Sequence, residues 1–263
     1  MELDMKIGVI GVGIIASYMV TGFCESGEEN CFVLSPRNRE KSAALGAKYP
    51  HLVQIAQDNQ EVLDSCEGVI LSVLPQNAEE ILAPLHFSSH HQVMSVIPIL
   101  GLPKIRELVG DTAILVDVLP LPFIAKREGP LAIYPPQKEI EELFAPLGEV
   151  IAVETAAEMA TIRTTTALIS PYYELLYSLV EWCGENGLEE TKAKAYVTGF
   201  FSALTGIAAE TKDGKLKELA QEMTPGGLNW QATQQLKSEG NFEGWKRALD
   251  AIKTRVEGKS STR

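Results

Sequence analysis

Two short stretches carry the residue types best suited to holding a ligand: KIGVIGVGIIASYM, residues 6–19, and EMTPGGLNWQATQQL, residues 222–236. In the first, Gly11-x-Gly13-x-x-Ala16 follows an apolar run and opens a helical pattern. Gly11 permits a tight turn and Gly13 lets the backbone approach a pyrophosphate. Ala16 lets the helix pack closely on the strand, and the helix N-terminus at Ile14 and Ile15 faces the phosphates. The competing reading is a structural turn, since G-x-G-x-x-A is specific only between a strand and a helix. About 20 residues further on, an acidic residue would bond the ribose 2′-hydroxyl of NAD. The sequence has Ser35, Arg37 and Asn38 there, in VLSPRNREK. A hydroxyl beside a guanidinium suits a 2′-phosphate, so NADP is expected, with NADPH preferred over NADH. The alternative is a solvated helix start that Ser35 caps and where Arg39 pairs with acids.

The second stretch places Thr224, Pro225, Gly226 and Gly227 before a helical run opened by Leu228 and Asn229. Successive N–H groups of Gly226, Gly227 and Leu228 are expected to form a nest for a carboxylate, with Thr224 and Asn229 adding side-chain donors. Ser170 precedes Pro171 inside a long apolar helical pattern. Proline frees a carbonyl, that of Ala167, and kinks a helix, which makes Ser170 a candidate pocket residue or simply part of a kink between helices. Of Tyr172 and Tyr173, one reads as core packing and the other as a possible proton donor. All four histidines lie in the first half, and His90-His91 reads as a solvated loop. No metal-ligand spacing is visible, and none of Cys24, Cys31, Cys66 and Cys183 forms a C-x-x-C pair, so reduced, buried thiols are expected.

These groups need a scaffold. Up to Thr155, apolar runs such as GVILSVL and AILVDVL alternate with helical patterns. Strands are expected at 6–10, 31–34, 52–55, 68–74, 92–97, 112–118, 130–134 and 150–154. Continuous apolar runs imply burial on both faces, hence a Rossmann-like, mainly parallel doubly wound sheet over residues 1–155. From 156 to 263 no strand is legible. One helix is expected over 156–186, followed by further helices to 257, forming an all-helical domain. The first of these is apolar nearly all round, which calls for burial, partly against a second subunit. The 263 residues carry a net charge of −12, which argues against nucleic acid as partner. The opening MELDMKIGVIGVG lacks a basic segment and cleavage site, and no apolar run is long enough for a membrane span, so a cytoplasmic location is expected.

Taken together, IGVIGVGIIA, SPRNREK, ILSVLPQ, TTALISPYYELLYSLVE and MTPGGLNWQAT resemble the pyrroline-5-carboxylate reductase family in order, from Met5 to about Val256. The resemblance implies NAD(P)H-dependent reduction of a cyclic imino acid to proline, and a helical domain that dimerises by interleaving. It places Val73, Leu74 and Pro75, and Ile97 and Pro98, along the cofactor. Ser170, Thr224, Gly226, Gly227, Leu228 and Asn229 fall at the substrate, with Asn229, Thr224 and Ser170 as the catalytic candidates. Ile14 stands where the family has Asn, Leu74 where it has Lys, and Ile99 where it has Gly. Two further readings therefore stay open: reduction of another imine or ketone, and a dinucleotide-binding sensor without catalysis. The β-hydroxyacid dehydrogenases use a Lys on the long helix, where EMATIRTTTALIS offers only Arg163.

Overall fold

The computed structural model describes residues 5–28, 30–212 and 214–257. Its contacts divide the chain into two compact units, one ending at Ile162 and one beginning at Arg163. In the first unit the order is β1 (Lys6–Ile10), α1 (Ile14–Cys24), β2 (Cys31–Leu34), α2 (Arg39–Lys48), β3 (Val53–Ile55), α3 (Asn59–Ser65), β4 (Gly68–Leu71) and α4 (Ala78–Leu82). It continues with β5 (Gln92–Ser95), α5 (Leu102–Val109), β6 (Ile114–Leu119), β7 (Pro130–Tyr134), α6 (Lys138–Phe144) and β8 (Glu149–Ala152), and α7 (Ala156–Thr165) begins in this unit and ends in the second. The strands form one sheet in the order β3-β2-β1-β4-β5-β6-β7-β8.

All neighbouring pairs are parallel except β6 with β7. That pair is joined through a Pro-rich segment with a short 3₁₀ turn, Pro122–Lys126, rather than a crossover helix, which leaves only the antiparallel return. Both faces of the sheet are buried, as the apolar runs require. Ile7, Val9, Phe32, Leu34 and Ile70 join one core, where Phe23 of α1 meets Phe32 and Phe144 with ring centroids 5.4 Å from each. Ile10, Val33, Val69 and Leu71 join the other, under α3 and α5. Cys66 is buried and the remaining cysteines are half-buried; burial pushes the Cys24 and Cys66 thiols up to about 11, so thiolate is scarce near neutral pH.

Two expectations need correction here. β4 ends at Leu71 rather than residue 74, and β5 at Ser95 rather than 97. The apolar runs continue past the sheet because Val73 and Ile97 are buried beneath the loops, while the pairing itself stops at the register Ile10↔Leu71↔Ser95. His91 is buried rather than solvated: its Nδ1 accepts the Ser88 N–H at 2.9 Å and its Nε2 lies 3.1 Å from the Leu63 carbonyl.

The second unit holds α8 (Ile169–Glu185), α9 (Glu190–Glu210), α10 (Leu216–Gln221), α11 (Leu228–Ser238) and α12 (Asn241–Val256). The long helix expected over 156–186 is two, parted by a 3₁₀ turn at Thr166–Leu168. Pro171 cannot donate to a carbonyl four residues back, and the break upstream puts it in the first turn of α8, where its missing N–H costs nothing. Among the described residues, Ala193 and Val197 are the only buried apolar side chains of this unit. The aromatic rings of α8, Tyr172, Tyr173, Tyr177 and Trp182, are all exposed within one chain. No helix among the described residues is long and apolar enough to cross a membrane.

Candidate functional site

The first turn is built around Gly11. Its φ of +93° suits glycine, and a Cβ there would lie 2.5 Å from the Ser72 carbonyl oxygen. The turn is therefore clamped between β1 and the loop after β4, where Val73 also closes on it. The Gly11 N–H donates to Ser35 Oγ at 3.1 Å, which ties the turn to the end of β2.

Gly13 contrasts with Gly11. Its φ is −91°, and a Cβ added there would meet nothing within 4 Å. Nothing in the chain itself requires glycine at that point. Gly13 also sits at the N-cap of α1, where no side chain caps the helix and no acid occupies the first turn. The first N–H groups of α1, at Ile14, Ile15 and Ala16, thus have no side-chain cap, and the positive end of the helix dipole lies behind them. Ala16 is fully buried, as close helix–strand packing demands, and Ile15 packs on the first core. A cradle open at Gly13 and unfilled by any side chain fits a phosphate-bearing cofactor.

At the end of β2 the expected trio separates into distinct roles. Ser35 is 1% exposed. Its N–H donates to the Val9 carbonyl at 2.9 Å, its carbonyl accepts Ser42 Oγ at 2.9 Å, and its hydroxyl accepts the Gly11 N–H. Ser35 therefore holds the turn together rather than presenting a free hydroxyl. Asn38 caps α2, its Oδ1 accepting the Lys41 N–H at 3.3 Å, so the helix start expected of Ser35 belongs to Asn38. Arg37 is exposed and, among the described residues, makes no hydrogen bond or ion pair. It is the group left over for an anion.

Val73 and Ile97 are buried, so they can offer a ligand only their backbone. Pro75 opens a short 3₁₀ turn, and Pro98 is exposed. Three exposed aliphatic residues follow β1, β4 and β5: Ile14 at 60%, opening α1, and Leu74 at 59% and Ile99 at 55% on loops. Ile99 also has φ +67°, a left-handed conformation that costs a β-branched residue ~1–3 kcal/mol. Reading motifs did not single out Ile99 as a site residue; an aliphatic residue carries no chemical signature, and its strain appears only in the backbone.

In the second unit, Thr224-Pro225-Gly226-Gly227 closes a β-turn through Gly227 N–H to Thr224 carbonyl at 2.9 Å. Pro at the second position and Gly226 at φ +78° at the third make it type II. This corrects the expected nest: the Gly227 N–H is spent inside the turn. The donors that remain are the first N–H groups of α11, beginning at Leu228 and Asn229, whose N-cap Gly227 offers no side chain. The Thr224 hydroxyl and Asn229 amide are exposed and make no hydrogen bond among the described residues. Leu228 is 86% exposed. Ser170, at the second position of α8, is likewise exposed, and no hydrogen bond among the described residues joins it to the 224–229 turn. Tyr172 packs edge-on against Phe201 of α9 at 6.4 Å, while Tyr173 is more exposed. No group of three or more His, Cys, Asp or Glu suited to a metal occurs among the described residues.

Residues 6–99 match the family model described as NADP oxidoreductase, coenzyme F420-dependent. Pyrroline-5-carboxylate reductase 2 of Bacillus subtilis (strain 168) is 23% identical over 250 residues, covering 90% of this chain and 88% of that one. The pyrroline-5-carboxylate reductase of Streptococcus pyogenes superposes with a TM-score of 0.84 at 20% identity, over 98% of this chain and 100% of that one. The chain shares the fold of the pyrroline-5-carboxylate reductases over nearly its whole length. The Plasmodium falciparum pyrroline carboxylate reductase, solved with NADP bound, gives a TM-score of 0.81 at 18% identity over 98% of this chain and 99% of that one. An imine reductase of Aspergillus terreus, solved with NADPH4 and dibenz[c,e]azepine, gives 0.56 at 17% identity over 98% and 89%.

Proposed function

We propose that the chain is an NADPH-dependent reductase of a small cyclic imine, with 1-pyrroline-5-carboxylate, reduced to proline, as the default substrate. The observation that carries this reading is the uncapped N-terminus of α1, open at Gly13 and braced by the Gly11–Ser35 bond. That is a built anion cradle at the carboxyl ends of β1 and β4, the crevice where parallel sheets of this order hold dinucleotides. When bound, NADPH supplies a hydride to the imine carbon; the C=N π pair takes a proton at nitrogen, so that imine, NADPH and a proton give amine and NADP⁺. The protein's share is position and field. Arg37 is the proposed contact to the 2′-phosphate and the source of the preference over NADH. Thr224, Asn229 and the first N–H groups of α11 are proposed to hold the substrate carboxylate, with Ser170 as a further donor.

Another imine is the second reading, favoured by the aliphatic residues at positions 14, 74, 99 and 228. Loss of nicotinamide absorbance on mixing protein, NADPH and 1-pyrroline-5-carboxylate tests the first reading. Turnover confined to other imines supports the second, and NADPH binding with no turnover on any imine points to a sensor.

We further propose that the second unit assembles into a homodimer. A unit that, among its described residues, buries two apolar side chains while exposing Tyr173, Tyr177, Trp182, Tyr196 and Phe200 lacks a core sufficient for its size. Light scattering is expected to give twice the chain mass or a multiple of it at micromolar concentration; a stable monomer would contradict the assembly.

A further inference from the structure

The pairing register Ile10↔Leu71↔Ser95 brings the carboxyl ends of β1, β4 and β5 side by side. The segments that follow carry one exposed aliphatic side chain each: Ile14 at the start of α1, and Leu74 and Ile99 on loops. Single exposed aliphatics are ordinary on protein surfaces, but three on adjacent segments at one end of the sheet form a set. Ile99 adds an independent observation. At φ +67° glycine would be unstrained, yet a branched side chain is held there and stays exposed. Strain of this kind persists where it serves a site. The set begins at Ile14, the first residue of the helix whose N-terminus forms the anion cradle, so it continues from the cofactor turn away from Arg37, which follows β2.

We propose that Ile14, Leu74 and Ile99 form an apolar rim that selects a cyclic imine bearing apolar surface beyond the pyrroline ring, such as a fused aromatic ring. This rests on the reductase reading and names the class of substrate.

A pair of product amines tests it: proline, and 1,2,3,4-tetrahydroisoquinoline-3-carboxylate, which keeps the amine and carboxylate, widens the nitrogen ring by one carbon and adds a fused benzene ring. Calorimetry with and without NADP⁺ reads their relative affinity. The fused-ring amine is expected to bind about tenfold more tightly than proline to the native protein. Ile99→Gly and Ile99→Asn are each expected to reduce that ratio about fivefold while NADP⁺ affinity stays within about twofold. Ile99→Gly should also raise the unfolding midpoint, because it relieves the strained backbone. A ratio near one in the native protein, or a ratio that both variants leave unchanged, overturns the rim. The corresponding imines, with NADPH, are assayed separately. Failure of both to be reduced would sink the reductase reading, while the amine ratio still decides whether the rim recognises an apolar ring.

Discussion

Gly13→Ala is expected to fold normally and to lose NADPH, whereas Gly11→Ala is expected to lose both fold stability and cofactor. The two glycines sit two residues apart in one motif, yet the structure gives them different burdens. At Gly11 an added methyl meets the Ser72 carbonyl oxygen at 2.5 Å, and the backbone stands at φ +93°. Overpacking against backbone and left-handed strain together cost about 2–5 kcal/mol, which urea unfolding would register as a large drop in midpoint. At Gly13 the added methyl meets nothing of the protein and φ is −91°, so stability should fall by no more than about 1 kcal/mol, the cost of alanine at an N-cap. The methyl would instead stand where a pyrophosphate approaches the α1 N-terminus. Fluorescence titration is expected to show NADPH affinity falling about a hundredfold, since the lost contacts are hydrogen bonds to a charged group, each worth ~1.5–3 kcal/mol. Native NADPH affinity in Gly13→Ala would remove the anion cradle from the account.

Arg37→Ala is expected to weaken NADPH by about 10–100-fold and to leave NADH within about twofold. The argument rests on what Arg37 lacks: it is exposed, stands at the end of β2 and makes no hydrogen bond or ion pair among the described residues. Ser35 cannot share the role on equal terms, because it is buried at 1% exposure while Arg37 is exposed. Its hydroxyl accepts the Gly11 N–H. Ser35→Ala should therefore weaken both cofactors together by loosening the turn. Equal losses of NADPH and NADH in Arg37→Ala would defeat the 2′-phosphate reading.

The fold was legible where burial and period agree. β1, β2 and β7 fall on the apolar runs that mark them, and continuous runs foretold a sheet covered on both faces. The pattern overshot at β4 and β5 because apolar composition records burial, and Val73 and Ile97 remain buried after pairing stops. Proline was visible in the sequence at 171, but the sequence does not say on which side of it the helix would break. The candidate site was legible in its backbone logic: the glycines, the uncapped helix and the Pro-Gly-Gly turn all follow from residue type. Which N–H groups stay free did not follow, because that depends on the turn type set by Gly226 at φ +78°. Ser35 likewise changed from ligand to brace once its partner was known.

The central claim, direct hydride transfer to a C=N bond, is tested most directly with NADPH deuterated at nicotinamide C4. Each of the two C4 epimers is incubated with protein and either 1-pyrroline-5-carboxylate or its fused-ring analogue, and the amine is analysed by mass spectrometry. One epimer is expected to give an amine one mass unit heavier, with the deuterium on the former imine carbon, and the other epimer an unlabelled amine. Absence of deuterium from the amine with both epimers, or no amine from either imine, would contradict the account.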